Sequence, residues 1–202
     1  MTKNYTRQRL LDLAQERGIF RASEAEAAGV HPQYLSRLLA QGILERVARG
    51  CYRLTEADTT EHHTLAVVAT AVPSAVICLL SALQFHQIGT QTPLGVWIAL
   101  ERGTRKPQLD YPPLQVVYFS GEAFALGVES HIIEGQIVRV YSVAKTIADC
   151  FKHRNKLGLD VALEALTDAW RQRRLSLSEL NIFAQANRVQ RVLQPYVEVL
   201  IQ

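Results

Sequence analysis

The sequence predicts an α+β protein in two parts: a winged helix-turn-helix over residues 1–56, and a larger mixed α/β domain over 57–202 with a helical C-terminus. Three observations predict it. Three short runs with helical spacing of apolar residues occupy residues 6–42, and two short β-like runs follow on either side of Ala48-Arg49-Gly50. Beyond residue 56 two short helical runs lead into strand-like runs, and longer helical runs come last, as in an α+β domain.

The elements follow in order. Leu10, Leu11, Leu13 and Ala14 line one face of a helix from Thr6 to Arg17, which Gly18 is placed to end. Ser23 followed three residues later by Glu26 has the form of a capping box, opening a short helix that Gly29 stops. His31-Pro32 sets proline in a first helical turn, and Leu35, Leu38 and Leu39 then define one side of a third helix closed by Gln41-Gly42. After Gly42 the period changes. Ile43–Val47 and Cys51–Leu54 read as strands, with Ala48-Arg49-Gly50 as a three-residue loop between them. Three helices and a β-hairpin outline a winged helix-turn-helix, with Ala28-Gly29-Val30-His31 as the glycine-containing turn between its two motif helices.

Glu56–Glu61 is polar and reads as a linker or helix start. Helices are expected over Leu65–Val72 and Ser81–His86, and strands over Val96–Leu100 and Leu114–Phe119. A charged, proline-containing loop spans Arg102 to Pro113. Val128–Glu134 and Ile137–Tyr141 read as a hairpin, and Val143–His153, Leu159–Arg173, Ser178–Asn187 and Val189–Ile201 as helices.

With 202 residues, 48% hydrophobic and 20% charged, the chain can bury a core and is too apolar to be disordered. No low-complexity tract or long repeat appears. The three cysteines (Cys51, Cys78, Cys150) are widely spaced without CxxC, which disfavours a disulfide framework or zinc site and suits a reducing compartment. The N-terminus lacks the apolar region of a signal peptide, so export is not expected.

One stretch resembles a bilayer span. No Asp, Glu, Lys or Arg lies between Glu61 and Glu101, and Thr64–Leu83 is predominantly apolar. Pro73-Ser74 at its centre, its many Ala and Thr, and the lack of flanking cations oppose that reading. A buried helix, a break at Pro73 and a second buried segment are expected instead, with no membrane partner.

The net charge of +3 is unevenly distributed. Residues 1–56 hold nine Lys/Arg against six Asp/Glu, and the remainder sums to zero. The whole basic excess therefore sits in the segment with the helix-turn-helix pattern. On the third helix Leu35, Leu38 and Leu39 fall within about 100° of arc. The opposite arc carries Gln33, Arg37 and Ala40, flanked by Tyr34, Ser36 and Gln41. A second motif helix enters the major groove with its N-terminal residues toward the bases. Gln33 is then placed to read adenine and Arg37 guanine. Tyr34 and Ser36 are phosphate donors on this reading, with a core position as the alternative for Tyr34. The hairpin adds Arg46, Arg49 and Arg53, with Arg49 at its tip. Together these predict a double-stranded DNA partner, the alternative being an exposed face of a protein-interaction module.

Signals for catalysis are weak. Ser142-Val143-Ala144-Lys145 has the S-x-x-K form, but neither S-D-N nor K-T-G accompanies it, and Ser142 reads as a helix N-cap. Lys145-Thr146 has no phosphate-loop glycines before it. Glu61-His62-His63 places adjacent histidines on different helix faces, so no metal site is expected. A Cys–His pair assembled in space stays open. The sequence therefore predicts no enzyme and no cofactor. A second basic cluster (Arg139, Lys145, Lys152, Arg154, Lys156) carries a local +4 against Asp149 alone. It reads either as a second electropositive surface or, since Lys145, Asp149 and Lys152 share a helix face, as partly internal pairing.

Three strings carry a family resemblance. Gly42-Ile43-Leu44-Glu45-Arg46-Val47-Ala48-Arg49-Gly50-Cys51-Tyr52 resembles the wing signature of AbiEi-type proteins, the antitoxins of type IV toxin–antitoxin systems linked to abortive infection. Ser81-Ala82-Leu83-Gln84-Phe85-His86 and Tyr141 through Asp149 resemble two further segments of that family, in the same order. The resemblance implies a cytoplasmic transcriptional repressor whose N-terminal winged helix binds inverted repeats upstream of its own operon. It implies a C-terminal domain that supports repression and antitoxin activity. The opposed toxin would be nucleotidyltransferase-like, a functional partner without a stable complex. Carried over by position, Gln33, Ser36, Arg37, Arg46, Arg49 and Arg53 fall in DNA-contacting elements. Self-association on DNA is a further expectation. The alternative function is a winged-helix protein-interaction or ligand-sensing module with no antitoxin role.

Overall fold

A computed structural model describes residues 2–201, with side chains from residue 6. The chain divides into two compact units. The first runs to Ala75 and adds Pro107–Pro113 and Ser130–Val138; the second comprises Val76–Lys106, Leu114–Glu129 and the chain from Arg139. The 56/57 boundary expected from the sequence falls inside the first unit.

The first unit contains α1 (Thr2–Arg17), β1 (Ile19–Arg21), α2 (Ala22–Ala27), α3 (Pro32–Ala40), β2 (Leu44–Ala48), β3 (Cys51–Leu54) and α4 (His63–Ala71). Its three strands pair antiparallel in the order β1-β3-β2. Leu10 and Ala14 of α1, Phe20 of β1, Ala25 of α2, Val30, Leu35 and Leu38 of α3 and Leu44 of β2 form the core on one face of this sheet. α4 covers the strands as well, and the Arg21 Nε–H donates to the Thr70 carbonyl at 2.5 Å. That second cover explains the apolar run Leu65–Val68 and extends the unit past residue 56.

Two local expectations are corrected here. The capping box at Ser23 and Glu26 does not form. β1 delivers the chain extended as far as Arg21, the Ala22 N–H is held by the Gly50 carbonyl at 2.9 Å, and Arg21 becomes the N-cap. Glu24 then accepts from the Arg21 N–H at 2.7 Å. The hairpin loop is also tighter than expected. Ala48 pairs with Cys51, so the turn is Arg49-Gly50, and the extra residue appears as a register shift between Arg46 and Ala48.

The tip of a later hairpin completes this unit. Gln136 Nε2 donates to the carbonyls of Arg17 and Ile19, both at 2.6 Å, while its Oε1 accepts from the Thr70 hydroxyl at 2.9 Å. Glu134 accepts from the Thr60 N–H and from its hydroxyl, and its other oxygen lies 2.7 Å from His63 Nδ1. Gly18 and Gly135, both at positive φ, let the two backbones touch: a Cβ on Gly18 would meet the Glu134 carbonyl, and one on Gly135 the Arg17 carbonyl.

The remaining elements are β4 (Val76–Ile77), α5 (Leu79–Phe85), β5 (Val96–Glu101), β6 (Leu114–Phe119), α6 (Glu122–Ala125), β7 (Val128–Ile133), β8 (Gln136–Tyr141), α7 (Val143–Lys152), α8 (Arg154–Leu157), α9 (Leu159–Arg171), α10 (Leu177–Ala186) and α11 (Gln190–Leu200). Five strands form a mixed sheet in the order β6-β5-β4-β8-β7, with β4–β5 antiparallel and both β5–β6 and β4–β8 parallel. α7 is buried from Val143 to Phe151 because α5, α9, α10 and α11 all pack on it. The chain breaks at Pro73-Ser74 as expected, and α4 and α5 are separate short helices. No helix among the described residues is long and apolar enough to cross a membrane.

Candidate nucleic-acid interface

α3 owes its position to its caps and its buried side. The turn after α2 is held by Gly29 N–H to Glu26 and Val30 N–H to Ala25, at 2.8 and 2.9 Å. His31, the last residue of the turn, caps α3 by accepting from the Gln33 N–H at 3.3 Å, with Pro32 at the first position. Leu35 and Leu38 are buried, so the opposite face is turned out. Gln33, Ser36, Arg37 and Ala40 are exposed on it. Tyr34 is half-buried against the core, and the Arg37 guanidinium lies over its ring at 5.7 Å from the centroid.

The hairpin divides its three arginines. Arg46 is exposed, with a long 3.4 Å contact from its Nε–H to the Ala48 carbonyl, and Arg49 is exposed in the turn. Arg53 is corrected: it is 8% exposed and bonded to the Glu45 carboxylate. β3 is the central strand, and its alternation turns Cys51 and Arg53 away from solvent. Held there, Arg53 is not one of the hairpin's exposed cations. Arg37, Arg46 and Arg49 form no ion pair with a carboxylate among the described residues.

The proposed second basic surface is also corrected in part. Lys145 is fully buried and paired with Asp149. Its ammonium sits over the rings of Tyr141 and Phe119, at 4.2 and 4.7 Å. Asn187 donates to the same carboxylate oxygen at 2.6 Å. Burial pushes the Asp149 carboxyl above its usual range, against the pull of Lys145 and Asn187. The shared helix face of Lys145 and Asp149 is thus an internal ion pair. Arg139 and Arg154 are half-buried, and an Arg154 Nη1–H donates to the Phe151 carbonyl at 2.9 Å. Lys152 and Lys156 are exposed, with the Lys156 ammonium 4.6 Å over the Trp97 ring. Burial, with Lys156 and Lys152 adding repulsion, holds the His153 imidazole below its ordinary range. Ser142 caps α7 as expected, accepting from the Lys145 N–H at 3.3 Å.

The first unit thus carries an exposed polar face on α3 and two exposed arginines, Arg46 and Arg49, on its hairpin. Residues 8–55, from α1 through β3, match the family model described as "Transcriptional regulator, AbiEi antitoxin". This segment is similar to that family of regulators, and it contains α3 and the hairpin. No curated protein of known function matches the chain.

Proposed function

We propose that the protein is a sequence-specific DNA-binding repressor with an N-terminal winged helix-turn-helix. In this reading it is the antitoxin-like component of a type IV toxin–antitoxin system. It acts in the cytoplasm, represses its own operon through inverted repeats, and opposes a nucleotidyltransferase-like toxin without a stable complex. The helix, strand, helix, helix and hairpin order of residues 2–54 supports the fold assignment. The observation that carries the function is that Gln33 and Arg37 on α3 and Arg46 and Arg49 on the hairpin are exposed, the three arginines making no ion pair among the described residues, while Arg53 is held by Glu45. Cations left unpaired on a helix and on a wing suit two sets of phosphates, and Gln33 and Arg37 suit base edges in the major groove.

Gel-shift titration with duplex DNA from upstream of its own coding sequence tests this. Arg37→Ala and Arg49→Ala should each weaken binding by tenfold or more, about 1.4 kcal/mol, with the far-ultraviolet spectrum unchanged. Wild-type affinity in both variants would remove the face assigned here.

A further inference from the structure

α11 carries its charges at the wrong ends. A helix is stabilised by acids in its first turn and bases in its last, because its backbone dipole is positive at the N-terminus and negative at the C-terminus. α11 has neither. Its first turn holds Arg191, preceded by Arg188, and its last turn holds Glu198, with all three side chains in contact with solvent. Arg188 and Arg191 have no acid partner among the described residues, and Glu198 is bonded only by Gln194, at 2.8 Å. Arg191, Gln194, Pro195, Glu198 and Val199 are the exposed positions, at i, i+3, i+4, i+7 and i+8, and so form one stripe along the helix. Beside this stripe a cavity of about 370 Å³ runs between α10 and α11. Its floor is Leu180, Ala184, Leu193 and Val197, and Arg191 and Glu198 border it.

We infer that this face binds a second copy of the same chain, with the two α11 helices antiparallel about a two-fold axis. An antiparallel copy repairs each mismatch. Centring the axis between Gln194 and Pro195 sets Arg191 opposite Glu198 of the other copy, and Glu198 opposite its Arg191. The same register brings Arg188 and Arg191 to the negative end of the other helix and Glu198 to its positive end. Val199, 72% exposed, then meets the other copy at Gln190, at the mouth of its cavity, and Ile201, 56% exposed, meets Arg188. Every like-charge contact is avoided, the pattern expected of a self-complementary two-fold interface. One helix face per copy is a small contact, so the association is weak and reversible in free solution. It deepens the DNA-binding reading by supplying the symmetry that an inverted repeat demands, and in that respect rests on it. Self-association itself is measured without DNA, so the two ideas fail separately.

Sedimentation velocity over a wide concentration range at low salt tests the inference. The wild-type chain should show a monomer–dimer equilibrium that weakens as salt is added. Arg191→Glu and Glu198→Arg should each weaken dimerisation by about tenfold or more. The double variant Arg191→Glu, Glu198→Arg should recover it to near the wild-type value, because the exchanged charges again face one another. A wild-type chain that stays monomeric throughout would overturn the proposal. So would a dimer that the single reversals leave unchanged, or one that the exchange fails to restore.

Discussion

Arg53 and Glu45 stand directly opposite each other on β3 and β2, and the guanidinium donates to the carboxylate. The pair separates the hairpin's arginines into one that holds the sheet together and two that are turned outward.

Arg53→Ala should therefore cost stability without altering how binding responds to salt. Removing the largely buried guanidinium loses a cross-strand bond and packing against α4's side of the sheet, about 1–3 kcal/mol. Chemical denaturation reads the loss. Duplex titrations at several salt concentrations should give the wild-type slope, because no phosphate contact is removed.

The Glu134 clasp gives the first unit an acid-sensitive element. Burial opposes ionisation of this carboxyl, but bonds from Thr60 and His63 together outweigh it and hold the group below the usual glutamate range. Its ionised form is thus favoured by folding. The stabilisation is in place above that range, around pH 4.3, and is lost as pH falls from there through the lower folded value. Melting temperatures between neutral pH and pH 3 should fall less steeply for Glu134→Gln than for the wild type. Gln136→Ala, which strands the Arg17 and Ile19 carbonyls, should lower stability by about 1–3 kcal/mol at neutral pH.

Lys145 and Asp149 form a sealed ion pair in α7. Lys145→Met leaves a buried carboxylate with only Asn187 as donor and should destabilise by about 3–5 kcal/mol. Adding Asp149→Leu should recover much of that loss, since an apolar pair of similar volume has no charge to desolvate. Urea denaturation of both variants measures the difference. Equal stability of single and double variants would show that the pair is not the cause.

Much of the first unit was legible because its signals are periodic. The leucines of α3, the run Cys51–Leu54 and the glycine of the turn place the helix and the hairpin within a residue or two. β1 escaped because three residues, Ile19-Phe20-Arg21, are too few to display alternation, and β4, α6 and α8 are shorter than a recognisable period. Exposure at the candidate site was legible where it follows from helix phase, as at Gln33, Ser36 and Arg37. It failed at Arg53, where the deciding quantity is strand register. Counting cations along the hairpin grouped Arg53 with Arg46. Pairing sets Arg53 against Glu45, an acid eight residues earlier that was available as the signal. The Gln136 and Glu134 clasp joins positions more than 60 residues apart, and no local pattern announces it.

The central claim is that α3 and the wing present arginines to one duplex, and the salt dependence of binding tests it most directly. Each phosphate contact contributes about 0.9 to the slope of log K against log salt concentration. Arg37→Ala and Arg49→Ala should change affinity, and Arg49→Ala should also flatten that slope by about one unit, while Arg53→Ala keeps it. Identical slopes for the wild type and Arg49→Ala, or a flattening with Arg53→Ala instead, would contradict the account.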